Sequence, residues 1–140
     1  MSGAINFYNE EIEYRLVSIK GTRAWLNRCI EQEGKTAGDI SYIFCNDEYL
    51  YRLNSDYLKH DTYTDIITFD YSEGERVSGD IFISIERVKE NASIYGVPFR
   101  HELNRVMVHG ILHLCGYKDK TKKQSELMRK KEDEYLALFV

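Results

Sequence analysis

Apolar and polar positions along this chain follow two periods in turn, and each change of period marks an element. Residues 4–8 read as a short strand, and residues 16–33 as a long helix with Val17, Ile19, Ala24, Trp25, Leu26 and Ile30 at its apolar positions. Gly34 stands where that helix stops. Residues 39–45 are rich in β-branched and aromatic side chains and read as a strand, and Asn46-Asp47 behind them can cap a helix running to about Leu58. Residues 64–69 and 79–85 are β-prone, with the polar, turn-like residues 73–78 between them, so the two strands should lie near each other in one sheet. Residues 86–95 read as a helix, Gly96-Val97-Pro98 breaks it, and Pro98 is expected at the first position of the next, longer helix. A last amphipathic helix over residues 122–139 presents Leu127, Met128, Tyr135 and Leu138. Strand–helix alternation followed by two successive strands predicts an α+β domain with a small, mostly parallel mixed sheet of about four strands packed with about five helices.

One segment departs from amphipathic patterning. From Val106 to Cys115 every residue except His109 and His113 is apolar or glycine, so at about 100° per residue the apolar positions cover nearly the whole circumference. This predicts a buried central helix with two imidazoles one turn apart on one face. Burying both as ordinary core residues would cost about 1 to 3 kcal/mol for each unpaired polar group. A divalent metal removes that cost. Gly116 falls where the helix should end in the left-handed conformation, and the chain can then turn back so that Asp119 offers a carboxylate to the same point. His109, His113 and Asp119 are therefore the expected metal ligands, with Zn2+ the expected ion.

Composition narrows the setting. A chain of 140 residues with 43% hydrophobic residues suffices for one core, and neither linker composition nor an internal repeat divides it, so residues 1–140 are expected to form a single domain. No leader-like N-terminus and no stretch near the 18 apolar residues of a membrane span are present, which predicts a soluble, cytoplasmic protein without a membrane partner. Cys29, Cys45 and Cys115 are odd in number and widely spaced, so reduced thiols are expected. Cys115 sits about 120° to 160° around the helix from the histidines and is not counted as a ligand. A net charge of −4 argues against a general nucleic-acid binder, but Lys118, Lys120, Lys122 and Lys123 follow the histidines directly and would attract a polyanion near the mouth of the site.

The run His109-Gly110-x-Leu112-His113-Leu114-x-Gly116-Tyr117 resembles the HGxLHLxGYDH signature of the YbeY family of metal-dependent endoribonucleases, and residues 64–69 and 79–85 resemble that family's PTDVLSF and GDIxIS segments. The resemblance implies a single-strand-specific endoribonuclease of ribosomal RNA maturation, acting late at the 3′ end of small-subunit rRNA, with single-stranded RNA as partner and an α+β fold that agrees with the pattern above. The chain departs from the signature at Lys118, where the family has aspartate, and at Asp119, where it has a third histidine. It departs again at Leu58, where the family pattern implies an arginine. Leucine cannot contact a phosphate, and Lys59 or His60 beside it could replace the cation.

Three protein ligands leave an open position, the mark of a catalytic rather than a closed structural site. An ion so held can polarise a phosphoryl oxygen, which makes cleavage of a phosphodiester in single-stranded RNA chemically reasonable, although the motif supplies no obvious general base. Two other readings stand beside it. The histidine spacing also resembles the HExxHxxGxxH motif of metallopeptidases, but the glutamate that serves as their base is Gly110 here, and Glu102 lies two turns away on the same helix face. The other is a metal-stabilised ribosome-assembly factor with little turnover.

Overall fold

A computed structural model describes residues 3–58 and 63–139. Its elements run β1 (Ile5–Glu10), α1 (Ile19–Gln32), β2 (Thr36–Cys45), α2 (Asp47–Leu58), β3 (Ile66–Asp70), β4 (Arg76–Ser84), α3 (Ile85–Tyr95), α4 (Phe99–Leu114) and α5 (Lys122–Leu136). The four strands form one sheet in the order β1-β2-β4-β3. β1 and β4 flank β2 in parallel, Ile5 opposite Ile40 and Cys45 opposite Ser84, and only β3 runs antiparallel, Ile66 opposite Ile83. The expected α+β architecture is the one observed.

Period-two patterning sorts the two faces of the sheet. Ile40, Tyr42 and Phe44 of β2 and Val77, Ile81 and Ile83 of β4 point into the main core with Trp25, Leu26 and Ile30 of α1 and Leu103, Met107 and Ile111 of α4. Cys45, Ile67 and Phe82 point the other way and pack under Leu50 and Leu53 of α2. The C-terminal end of β2 is thus buried on both faces, in keeping with the unbroken apolar run from Tyr42 to Cys45.

Several boundaries differ from the pattern-based expectation, each for a local reason. β2 starts at Thr36 rather than residue 39, because Thr36 and Ala37 pair with Arg76 and Val77 before the register shifts between Ala37 and Ile40. The tight bridge between Glu73 and Arg76 shortens the turn, so β4 also begins earlier, and Ile85 opens α3 behind the Ser84 cap instead of ending the strand. Ser18, left-handed at φ 61°, delays α1 to Ile19. Pro98 is extended (ψ 147°) and so caps α4 rather than forming its first residue. α5 ends at Leu136, short of residue 139.

α4 lies close over the sheet at Gly110. A Cβ there would stand 2.9 Å from Ile81 Cδ1 and 3.3 Å from Ile66 Cδ1, so any larger residue would have to push these isoleucine side chains aside. The Tyr42 hydroxyl, fully buried beneath α4, donates to the Met107 carbonyl at 2.7 Å and fixes the helix along its axis. No helix among the described residues is long and apolar enough to cross a membrane.

Candidate metal centre

α4 delivers His109 and His113 to one face, and its C-terminus is built to return the chain to them. Gly116, at φ 105°, ends the helix with the Gly116 N–H donating to the His113 carbonyl and the Tyr117 N–H to the Leu112 carbonyl, both at 3.0 Å. The far end of the loop is held by the start of α5. There the Thr121 hydroxyl accepts from the Gln124 N–H at 3.1 Å, while the Gln124 amide oxygen accepts from the Thr121 N–H at 3.0 Å. Ser125 Oγ donates to the Asp119 carbonyl at 3.1 Å. Between these two anchors Asp119 turns inward, and its Oδ2 lies 3.4 Å from both His109 Nε2 and His113 Nε2.

The donor set fits a divalent ion. Three ligands of a tetrahedral zinc at about 2.0–2.1 Å stand about 3.3 Å from one another, close to the 3.4 Å from Asp119 Oδ2 to each Nε2. The three ligand atoms all lie within 4.8 Å. The opposite ring nitrogens are engaged: His109 Nδ1 donates to Glu132 Oε2 at 2.7 Å, and His113 Nδ1 donates to the Tyr117 carbonyl at 3.0 Å. Each bond keeps the proton on Nδ1 and leaves Nε2 with a lone pair facing the cluster.

Electrostatics at the cluster favour positive charge. Burial alone would lower His109, but the hydrogen bond and charge of Glu132, with Asp119 and Asp65, hold it above its ordinary value. Surroundings that favour a charged imidazole favour a cation beside a neutral one. His113 is pushed down by burial and by the charge of His109. Glu132 is 4% exposed, and although burial would raise it, His109 and Arg105 hold its carboxylate below its usual range. Arg105 reaches it at 2.8 Å and spans to Asp133 at 2.8 Å, so α5 is tied to α4 through the charges behind the histidines.

The cluster opens into a cleft of about 720 Å³ whose walls include Leu58, Asp65, Tyr95, Glu102, Arg105 and Arg129. A second cleft of about 370 Å³ adjoins it and shares His109, Asp119, Arg129 and Glu132. Lys118, Lys120, Lys122 and Lys123 are exposed but line neither cleft. Lys59 and His60 lie outside the described residues. The guanidinium at the mouth belongs instead to the exposed Arg129, 3.7 Å from Glu132. Burial pushes the Cys29, Cys45 and Cys115 thiols up to about 12, in keeping with unreactive reduced cysteines.

Sequence reasoning did not assign Glu132, Arg129 or Asp65 to the site. Glu132 left a readable signal, a carboxylate interrupting the apolar stripe that Met128 and Tyr135 mark on α5. Arg129 belongs to the basic stretch after the histidines and Asp65 to the segment resembling PTDVLSF, but neither signal says that the side chain faces this cleft.

Fold and site together define a small α+β domain of the metallohydrolase type, with an open His-His-Asp cluster at the end of a buried helix. The family model described as Endoribonuclease YbeY matches residues 5–140. The Endoribonuclease YbeY of Christiangramia forsetii is 54% identical over 98% of this chain and 95% of its own length, and that of Flavobacterium johnsoniae 55% identical over 96% of each. The solution structure of a Thermotoga maritima protein superposes with a TM-score of 0.65 at 27% identity, covering 94% of this chain and 86% of that one. The chain belongs to the YbeY family of metal-dependent endoribonucleases.

Proposed function

We propose that this chain, acting as one domain in the cytoplasm, holds a single zinc ion at His109, His113 and Asp119 and cleaves single-stranded RNA during maturation of small-subunit rRNA at its 3′ end. The observation that carries the reading is the pair of Nε2 atoms turned to one Asp119 oxygen while both Nδ1 atoms are tied behind them. Two imidazoles and a carboxylate suit zinc better than hard, oxygen-preferring ions. When bound, such an ion supplies a Lewis acid for the scissile phosphate and a means of ionising water near neutral pH.

The protein's own groups divide the remaining work. Glu132 orients His109, and Arg105 keeps Glu132 ionised. Arg129 meets a phosphate at the mouth, supplying from α5 the cation absent at Leu58, which also lines the cleft. Lys118 and Lys120, with Lys59 and His60, steer the flanking strand by charge. Two adjoining clefts that share the histidine cluster suit a strand laid across it, its unpaired bases free to enter them. A peptidase reading gains nothing from this geometry, because a glutamate at Gly110 would be driven into Ile81 rather than toward the ligands.

The test is metal analysis of the purified protein together with cleavage of a single-stranded RNA, with and without chelator. One zinc per chain, lost in His109→Ala and His113→Ala together with cleavage, is the expected result. Full metal content in either variant removes the assignment.

A further inference from the structure

Glu102, in the first turn of α4, has no work in the chemistry described above and no local structural partner. It is 4% exposed, and among the described residues no hydrogen bond or ion pair reaches its carboxylate. The cation that acts on it most strongly is Arg105, but that guanidinium is committed to Glu132 and Asp133 at 2.8 Å each. Burial accordingly holds the Glu102 carboxyl above its usual range, with Arg105 only partly offsetting the effect. The Glu102 oxygens are not sealed in the core but open to the cleft, and the fold does not require a carboxylate here, because Leu103, Val106 and Met107 supply the packing of this turn.

Its position shows what it can serve. Glu102 lines the same cleft as His109, His113 and Asp119, but it precedes His109 by seven residues, about 10 Å along the helix axis. It cannot reach a group reacting at the histidines. It can reach a nucleotide next to the one being cut. Tyr95, at the end of α3, lines this cleft as well and keeps 57% of its surface exposed, offering a ring on which a base can stack.

A carboxylate only accepts hydrogen bonds, so it selects an edge carrying two adjacent N–H donors. Among the four RNA bases only guanine has one, N1–H beside the N2 amino group. Adenine and cytosine set a lone pair beside their amino group, and uracil sets carbonyls on both sides of its N3–H. We propose that the Glu102 end of the cleft is a guanine-selective nucleobase subsite, the Glu102 carboxylate accepting from N1–H and N2–H while the Tyr95 ring stacks on the base. This rests on the cleft being the path of the RNA, and the experiment separates the two ideas.

Metal-loaded protein is given single-stranded oligonucleotides with one guanosine moved along an adenine and uracil background, and matched oligonucleotides with inosine, which keeps N1–H but lacks the amino group. In parallel, binding of guanosine and adenosine 5′-monophosphate is measured by calorimetry. The wild type should cut at a fixed offset from guanosine and prefer guanine over adenine by about ten- to hundred-fold in both assays, with inosine between. Glu102→Gln should bring that ratio close to one with metal content unchanged. Tyr95→Ala should weaken both nucleotides by about ten-fold or more and keep the ratio. A guanine preference that survives in Glu102→Gln, or a wild type indifferent to base in both assays, overturns the subsite. If no RNA is cut but the Glu102-dependent guanine preference appears in calorimetry, the subsite stands and the RNA-cleaving reading falls.

Discussion

Two buried glutamates on neighbouring helices have opposite electrostatic fates, and each leads to a measurable outcome. Glu132 accepts hydrogen bonds from His109 and Arg105 and is held ionised; Glu102 accepts none, and Arg105 and Arg129 act on it only through charge. Replacing Glu132 with Gln leaves the shape but removes the charge that orients His109, so metal affinity should fall by roughly 10–100-fold, measured by competition with a chromogenic chelator. For Glu102 the sign runs the other way. Its folded-state pKa lies above the unfolded value of about 4.3, so the folded chain holds the proton longer and stability declines as pH rises from the unfolded pKa through the folded one. Glu102→Gln should therefore melt higher than the wild type at neutral pH, and the difference should vanish in acid below both values. Equal melting temperatures across that range would mean the carboxylate has partners after all.

At the scale of elements, α4 combines two requirements in one segment, burial on the sheet and display of ligands. Gly110 serves the first: Gly110→Ala should cost about 1–3 kcal/mol by overpacking against Ile81, seen in urea unfolding, and should lower metal content because His109 adjoins it. Gly116 serves the second. Gly116→Ala forces an alanine to φ 105°, which should cost about 1–3 kcal/mol and displace Asp119, so that the variant folds yet binds metal weakly. The helix, its histidines, the terminating glycine and the returning aspartate were all legible in sequence, because each is a local signal of period or turn chemistry. What surrounds them was not. Arg105 and Glu132 meet across 27 residues, and whether a helix position faces a cleft or open solvent depends on how α4 and α5 cross. Boundaries moved for a similar reason: Thr36 and Arg76 are strand residues because of each other, not because of their neighbours.

Over the whole molecule, charge is distributed against its sum. A chain with a net charge of −4 gathers Arg129 and four exposed lysines around or just after its ligands, so RNA affinity should fall steeply with salt. Arg129→Gln should flatten the slope of log affinity against log salt by about 0.7, whereas removing Lys118, Lys120, Lys122 and Lys123 together should flatten it further if the flanking strand follows them. The hydrogen bonds that hold α5 are likewise uneven. Its C-terminal half is fastened to α1, with Trp25 Nε1 donating to the Tyr135 carbonyl at 2.7 Å and the Tyr135 hydroxyl bonded to Glu33. Its N-terminal half is held by the Thr121 cap, the Ser125 bond to the Asp119 loop and, at its inner end, the buried Met128. An ion held there as proposed would be a thermodynamic clasp as much as a reagent: at a hundredfold excess over its dissociation constant it would add about 2.7 kcal/mol to folding. That gain should be spent on one stretch of backbone. Amide exchange after chelation should quicken across residues 117–128 and change little near Tyr135, so that a cell short of metal would hold a domain with its core intact and its last helix half undone, open to proteases at that end first.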